Sequence, residues 1–337
     1  MNLQILVFGF LFGAILQRAR LNKYNTISGM ATLEDYTVAK AILVAIGLGA
    51  MLINFEIGTG QALCHVKPFI AGGIMLGGLI FGSGMAILGY CPGTMAVSLG
   101  EGSIDALVGI IGGLLGGVVF TAVLPAISPI LGPDWGKISL YTIMGGQTTF
   151  LFYFITMLLG AGFILLAFYF DKKHKAPNYR WLFAGLALAV LNAMVFLKVT
   201  SNRPIGASTS YPYLADQLTG MTSNDYFGKI ATPGHWEMVF LLGAMVAGLV
   251  FSLLSKEFKI TAIHSRWEHY KGKSVSKRLV TAFIGGFILI FGARMAGGCT
   301  SGHILSGGMQ LAVSSLVFGI FVFAGLLITG KLFYKKK

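Results

Sequence analysis

The chain has 337 residues, of which 55% are hydrophobic and only 11% are charged, and its formal net charge is +13. Ordinary soluble domains carry roughly a quarter charged residues, so a soluble globule of this size would lack the charge to cover its surface. Soluble enzymes, nucleic-acid-binding proteins and disordered proteins are therefore excluded. We predict an all-α polytopic protein embedded in the lipid bilayer.

A helix needs about 20 residues to cross the hydrocarbon core, and nine apolar segments approach that length. The first follows no basic run and precedes no small-residue cleavage site, so we expect a retained span rather than a cleaved signal peptide. The nine predicted spans are residues 3–17, 38–58, 68–88, 104–124, 143–170, 180–199, 237–254, 278–293 and 311–331.

The basic residues predict the orientation of these spans. The positive-inside rule assigns loops rich in Lys and Arg to the cytoplasm, which puts the N-terminus outside and the C-terminus inside. Alternatively, the basic loops bind a protein or lipids. Nineteen of the 25 basic residues lie in four clusters: Arg18, Arg20, Lys23 and Lys40; Lys172, Lys173, Lys175 and Arg180; seven residues between Lys256 and Arg278; and Lys331 with Lys335 to Lys337.

A short motif, FGxxMA, occurs at 81–86 and again at 291–296, and a cysteine follows each copy. Residues 1–130 and 180–337 would then be two repeat halves of four spans each. The linking segment, 131–179, holds one span and a cytoplasmic loop. An odd linking span reverses the second half and predicts an inverted repeat. Such short motifs also recur by chance in Gly-rich membrane proteins.

Each cysteine that follows the motif lies in a break between apolar segments. Residues 89–94, GYCPGT, contain Pro92, which removes a backbone donor, and residues 297–303 read GGCTSGH. Broken backbone at membrane depth is tolerated only where protein or a water-filled cavity surrounds it. We therefore predict two re-entrant loops, each with a cysteine near its tip and a half-helix whose N–H groups point inward, as suits an anion.

Two more polar interruptions occupy corresponding places after the first and sixth spans. Residues 17–26 contain Arg18 and Arg20, and residues 202–210 contain Arg203. Together the four loops would form a narrow central passage lined by thiols, hydroxyls and amides, with positive charge at its ends.

The sequences GYCPGT at 89–94 and GARMAGGCTSGH at 292–303 resemble the two signature loops of the YeeE/YedE membrane family. The resemblance covers essentially the whole chain. It implies nine spans with four re-entrant loops in inverted halves, uptake of thiosulfate, and interaction of Cys91 and Cys299 with the passing anion. It also implies a cytoplasmic TusA-like sulfur carrier protein as a partner.

One position departs from the family pattern. Such proteins often carry a third cysteine just after the basic loop of the first span, and this chain has Asn22 there. The third cysteine of this chain, Cys64, is either a spatial substitute or a small hydrophobic residue with no such role. This departure weakens the assignment of thiosulfate as the substrate and favours instead a selenium species or another sulfur species.

We expect the loop cysteines to remain neutral thiols that offer S–H to the terminal sulfur of the anion. Weak stepwise binding of this kind allows an ion to enter and also to leave. Arg294 either neutralises the substrate or satisfies loop carbonyls, and His303 either caps its loop or relays protons. The candidate substrate-binding residues are Cys91, Cys299, Thr94, Thr300, Ser301, Gly93, Gly298, Arg18, Arg20, Arg203, Arg294, His303 and Cys64.

Two other classes of function compete with an anion transporter. Cysteine, methionine and histidine suit Cu(I) and would serve a soft-metal permease, but the chain has no Met-x-x-Met or Cys-x-x-Cys pair. A membrane enzyme that takes sulfur from a donor is not supported by any readable Cys–His–Asp spacing. We therefore predict a transporter, not an enzyme, that acts as a monomer without a cofactor or metal site.

Overall fold

The computed structural model describes residues 2–174 and 178–335, within which the chain forms helices and no β-strand. The predicted all-α class is confirmed. Lys175, Lys336 and Lys337, members of the predicted basic clusters, lie outside the described residues. In chain order the helices are α1 (Asn2–Ala19), α2 (Tyr24–Ala31), α3 (Thr37–Gly58), α4 (Ala71–Leu88), α5 (Pro92–Gly100), α6 (Ile104–Leu131), α7 (Leu140–Ile143), α8 (Phe150–Lys173), α9 (Arg180–Phe196), α10 (Ser210–Thr219), α11 (Asp225–Leu254), α12 (Ser265–Lys271), α13 (Val275–Met295), a π-helical segment (Thr300–Gly307) and α14 (Val313–Phe333).

Each of the nine predicted spans lies on a long apolar helix. Eight of the described helices have at least 18 residues and a composition that allows them to cross a membrane, and α9 has 17. At 1.5 Å per residue, α9 extends about 26 Å, close to the hydrocarbon thickness of about 30 Å. The polytopic membrane architecture is therefore confirmed.

Three span boundaries were predicted wrongly. Helix α6 ends at Leu131 rather than at 124, because its backbone stays helical through Pro125 and Pro129. Helix α8 begins at Phe150 rather than at 143, because Gly145 and Gly146 have φ angles of 70° and 74° and end the short α7. Helix α11 begins at Asp225 rather than at 237. Its first three turns contain charged residues and Pro233, so hydropathy alone does not detect them, although the backbone is already helical.

The spans cross one another at very short distances because glycine lies at their crossing points. A Cβ atom at Gly286 of α13 would overlap the backbone carbonyl of Gly109 in α6, and one at Gly292 would lie 2.8 Å from the carbonyl oxygen of Gly77 in α4. Small residues permit this backbone contact, which drives helix association in lipid. The 47 glycines of the chain are therefore largely a packing feature.

The helices pack in matching pairs. The contact of α1 with α11 is matched by the contact of α9 with α3, and the contact of α6 with α13 by that of α14 with α4. In the same way α5 contacts α6, and the π-helical segment contacts α14. Helices α4 and α13 pack on each other at the centre. Two repeat halves would produce this pairing, and the division into 1–130, 131–179 and 180–337 stays a prediction.

One side of the molecule is called the basic face. Helices α1, α11 and α14 end there, and helices α3, α6 and α13 begin there. Ion pairs link neighbouring segments on this face, including Arg20 with Glu257 and Arg266 of α12 with Glu34. On the other side, the opposite face, residues 59–70 pair through backbone hydrogen bonds with residues 132–136 and 197–198.

A buried ion pair joins three helices near the basic face. The guanidinium of Arg278 in α13 lies 2.6 Å from a carboxylate oxygen of Asp105 in α6, and neither side chain is exposed. Arg278 also donates to the carbonyl oxygen of Leu88 at 2.7 Å and lies over the ring of Tyr24, 4.5 Å from its centroid. Arg278 therefore fixes the end of α4 directly before the Cys91 turn.

The substitution Asp105→Asn should lower the free energy of unfolding by about 3–5 kcal/mol, because it leaves the Arg278 guanidinium buried without its counter-charge. Unfolding of the detergent-purified protein by heat and by denaturant measures this loss. The matched control is Glu268→Gln, whose exposed pair with Lys273 should contribute at most about 1 kcal/mol. Equal stability losses in the two variants would contradict a structural role for the buried pair.

Candidate permeation site

The first cysteine turn separates α4 from α5. Gly89 ends α4 with a φ of 80°, and a Cβ atom there would overlap the ring of Tyr24. Cys91 is the N-cap residue of α5 and Pro92 is its first helical residue. The Cys91 N–H donates to Thr94 Oγ1 at 2.8 Å, and the same hydroxyl lies 3.4 Å from Cys91 Sγ. The thiol is thus held at the start of the half-helix α5.

The second cysteine turn separates α13 from the π-helical segment. Gly297 has a φ of 72°, and Cys299 is the N-cap residue of the segment, in extended conformation. His303 hydrogen-bonds through Nε2 to the carbonyl oxygen of Ala296 at 2.8 Å and through Nδ1 to Ser315 Oγ at 3.1 Å. These contacts cap the loop. The predicted half-helix exists here too, but in π rather than α geometry.

The two turns meet at one cavity of about 80 Å³, several times the roughly 10–15 Å³ that a single water needs. Cys91 and Thr94 line it from the first turn, and Thr300 and Ser301 line it from the second. The other lining residues are apolar and come mainly from α1, α2, α3 and α14. The structure therefore brings together four of the predicted site residues.

Gly93 of the first turn lies directly against the second turn. A Cβ atom on Gly93 would come within 3.6 Å of Ser301 Oγ and 3.3 Å of the Phe12 ring. Tyr211 of α10 donates to the carbonyl oxygen of Pro92 at 3.1 Å. Cys299 is 1% exposed, so the second thiol lies beneath the cavity surface rather than on it.

Two of the predicted arginines lie on the opposite face. Arg294 donates to Tyr226 Oη at 2.7 Å and to the hydroxyl of Thr209 at 3.1 Å. Its contacts are therefore with hydroxyls, and the expectation that it satisfies loop carbonyls was wrong. Arg203 pairs with Glu237 at 3.6 Å and lies over the ring of Trp236.

The other two predicted arginines lie on the basic face and do not reach the cavity. Arg20 pairs with Glu257. Arg18 lines a groove between α1 and α9 together with Arg180. Their positive charge is available only at the protein surface.

Cys64 and Asn22 do not supply a third thiol at the cavity. Cys64 is half-buried in the loop 59–70 on the opposite face and packs against an apolar cluster. Asn22 is fully buried and donates to Gln17 Oε1 at 2.8 Å and to Ser98 Oγ at 3.2 Å, in a network that includes Glu101. This polar network occupies the space between α1 and the end of α5.

Sequence reasoning did not single out Lys67, which lies over the second turn. Its ammonium donates to the carbonyl oxygen of Gly297, and a Cβ atom on Gly298 would collide with it. Lys67 also lines a pocket of about 200 Å³ on the opposite face with Arg294 and Tyr226. The sequence did contain a feature that could have identified Lys67, because it lies one residue before a predicted span and a lone cation beside an apolar segment needs a partner.

Comparison with known proteins identifies the chain. Its sequence matches the sulphur transport family over residues 18–328. The chain belongs to this family. Over 336 residues it is also 27% identical to the thiosulfate transporter TsuA of Spirochaeta thermophila, with 95% of each chain covered. The resemblance to the YeeE/YedE family is thereby confirmed, and the family member is a multi-pass membrane transporter.

The substitution Thr94→Val should loosen the first turn, because it removes the acceptor of the half-buried Cys91 N–H. We expect a stability loss of about 1–2 kcal/mol, together with faster hydrogen exchange at Cys91. Thr94→Ser keeps the hydroxyl and is the matched control, so it should exchange at the wild-type rate. Identical exchange rates in the valine and serine variants would show that Thr94 does not hold the turn.

Proposed function

We propose that this family member takes up thiosulfate through the cavity between the two cysteine turns. The observation that carries the proposal is the meeting of two half-helix starts, each preceded by a cysteine, at one cavity in the middle of the helix bundle. The similarity to a thiosulfate transporter over 95% of both chains supports the same substrate.

The cavity is suited to an anion that must bind and leave again. The N-terminal ends of α5 and of the π-helical segment adjoin it, and the positive end of a helix dipole favours an anion. The thiol of Cys91 can donate a weak hydrogen bond to the terminal sulfur of thiosulfate, and the hydroxyls of Thr300 and Ser301 can donate to its oxygens. No cation lines the cavity among the described residues, so the anion is not trapped there.

The remaining predicted site residues lie at different distances from this cavity, and we propose different roles for them. We propose that Cys299 receives the anion before Cys91, through a small shift of the second turn. Arg203 and Arg294 attract the anion to the opposite face, and Arg18 and Arg20 do so at the basic face. Cys64 takes no part.

Replacing either turn cysteine should slow transport. We expect Cys91→Ala and Cys299→Ala to lower the rate of ³⁵S-thiosulfate uptake into proteoliposomes about tenfold or more, since losing a buried hydrogen-bond partner costs about 1–3 kcal/mol. Cys64→Ala is the matched control and should stay within about twofold of wild type.

The same assay tests the substrate. Saturable thiosulfate uptake by the wild type, with competition by selenite or sulfite weaker than by unlabelled thiosulfate, is the expected result. Wild-type proteoliposomes that take up labelled selenite but no thiosulfate would replace thiosulfate with a selenium species. Full activity in both cysteine variants would exclude the thiols from the pathway.

We further propose that the basic face is cytoplasmic and that the membrane is the bacterial inner membrane. Most described basic residues lie on this face, in agreement with the positive-inside rule. Arg20, Lys23, Lys256 and Lys259 border a polar pocket there, which supports docking of a TusA-like sulfur carrier protein at the exit. Both turns come from one chain, which supports a functional monomer.

The orientation predicts opposite labelling at two exposed lysine positions. In a background with all three cysteines replaced by serine, Lys137→Cys should react with a membrane-impermeant maleimide added to intact spheroplasts. Lys273→Cys should react only after the spheroplasts are lysed. The reverse pattern would place the basic face outside.

A further inference from the structure

Lys67 is held rigidly by its backbone, while its side chain has one contact that an anion can replace. The Ser314 hydroxyl donates to the Lys67 carbonyl oxygen at 2.9 Å, and Phe69, two residues on, exchanges backbone hydrogen bonds with the segment 135–136. The ammonium itself donates to the Gly297 carbonyl oxygen. The loop is therefore fixed, and only the side chain needs to move for Lys67 to change partners.

The ammonium of Lys67 covers the second cysteine turn. It lies so close to Gly298 that a Cβ atom there would collide with Nζ, and a Cβ atom on Gly302 would lie 3.5 Å from Nζ. Cys299 is between these two glycines and is 1% exposed. The lysine thus separates the pocket on the opposite face from the thiol.

The pocket above this turn carries a net positive charge. The polar partners of Lys67 and Arg294 described above are a carbonyl and hydroxyls, all neutral. The nearby carboxylate, Glu237, pairs with Arg203 at 3.6 Å and accepts from the Thr209 N–H at 2.6 Å. Glu237 and Asp216, the two carboxylates that act on these cations, do not neutralise all three of Lys67, Arg203 and Arg294, so the pocket keeps a net positive charge that a bound dianion would offset.

The protonation behaviour of Lys67 agrees with this environment. Desolvation by the surrounding protein, and next the positive charge of Arg294, lower the pKa of Lys67 to about 8. Glu237 acts in the opposite direction, and Arg203 adds to the lowering. An anion in the pocket would favour the charged form.

We propose that Lys67 is the gate residue on the opposite face: a dianion in the pocket binds Lys67 and Arg294, and Lys67 then leaves the Gly297 carbonyl and uncovers the Cys299 turn. The inference rests on the proposed function for its ligand, a small sulfur-containing dianion. It assigns to one lysine both the reception of the anion and access to the second thiol.

Access to Cys299 can be measured without transport. The purified protein in detergent is treated with an uncharged methanethiosulfonate, whose approach does not depend on the charge of Lys67, and labelling of the peptide that contains Cys299 is followed by mass spectrometry. Lys67→Met keeps the length of the side chain but removes its charge and its bond to Gly297. Labelling should accelerate roughly tenfold to hundredfold, the effect of losing one charge-assisted hydrogen bond.

The same variants are then compared in thiosulfate uptake. Lys67→Met should raise KM roughly tenfold or more, because the pocket loses a cation that binds the anion. Lys67→Arg keeps the charge and should remain closer to wild type than the methionine variant in KM. Lys137→Met is the matched control, since it removes an exposed lysine on the same face, and should change neither measurement.

Each outcome decides one part of the proposal. Unchanged labelling of Cys299 in Lys67→Met would overturn the gate, and faster labelling with an unchanged KM would overturn its role in anion reception. If Lys67→Met does not purify as a single species, Lys67→Gln replaces it in both assays. If the wild type does not transport thiosulfate, the proposed substrate is wrong, while the labelling rates still decide whether Lys67 covers the turn.

Discussion

The structure depends on one constraint, which is that every backbone polar group inside a bilayer must find a partner within the protein. Two turns break the helical backbone between long apolar helices, at Cys91 and at Cys299, so the surrounding helices have to enclose them. Local hydrogen bonds reduce the number of unpaired groups: Thr94 accepts from the Cys91 N–H, and His303 binds the Ala296 carbonyl. In the proposed function, the anion binds at these two helix starts.

Enclosure of two turns in one small bundle requires helices that approach closely. The central contact between α4 and α13 involves Gly77 and Gly292, and the flanking contact between α6 and α13 involves Gly109 and Gly286. The ion pair between Asp105 and Arg278 then fixes the end of α4. Glycine contacts set the distance between the helices, while this charged pair sets the position of the first turn.

Much of this arrangement could be predicted from the sequence. Hydropathy located all nine long helices, because crossing a bilayer requires a long apolar run whatever the tertiary contacts. Pro92 and the paired glycines located both cysteine turns, since these residues interrupt a helix by their own covalent geometry. Thr94, Thr300 and Ser301 followed from their places beside the cysteines.

Residues whose position depends on contacts between distant segments could not be predicted in this way. Lys67 comes from a loop whose path is fixed by pairing with residues 132–136 and 197–198. The hydroxyl partners of Arg294 lie 68 or more residues away in the chain. The start of α11 at Asp225 was missed because charged residues and Pro233 hide its helical character.

The apolar wall of the cavity has a consequence for which anions can pass. Leu16, Ile27, Met30 and Val322 offer no hydrogen bonds, so an ion that enters loses most of its water and regains only the few bonds that the two turns provide. Burial of charge without full compensation costs free energy, and this cost increases with the hydration free energy of the ion. An anion that spreads part of its charge onto a large, polarisable sulfur atom gives up its hydration shell more easily than one with oxygen at every vertex. If anions pass through this cavity as proposed, dehydration itself would act as the filter, and sulfate would be rejected by the wall rather than by any single residue.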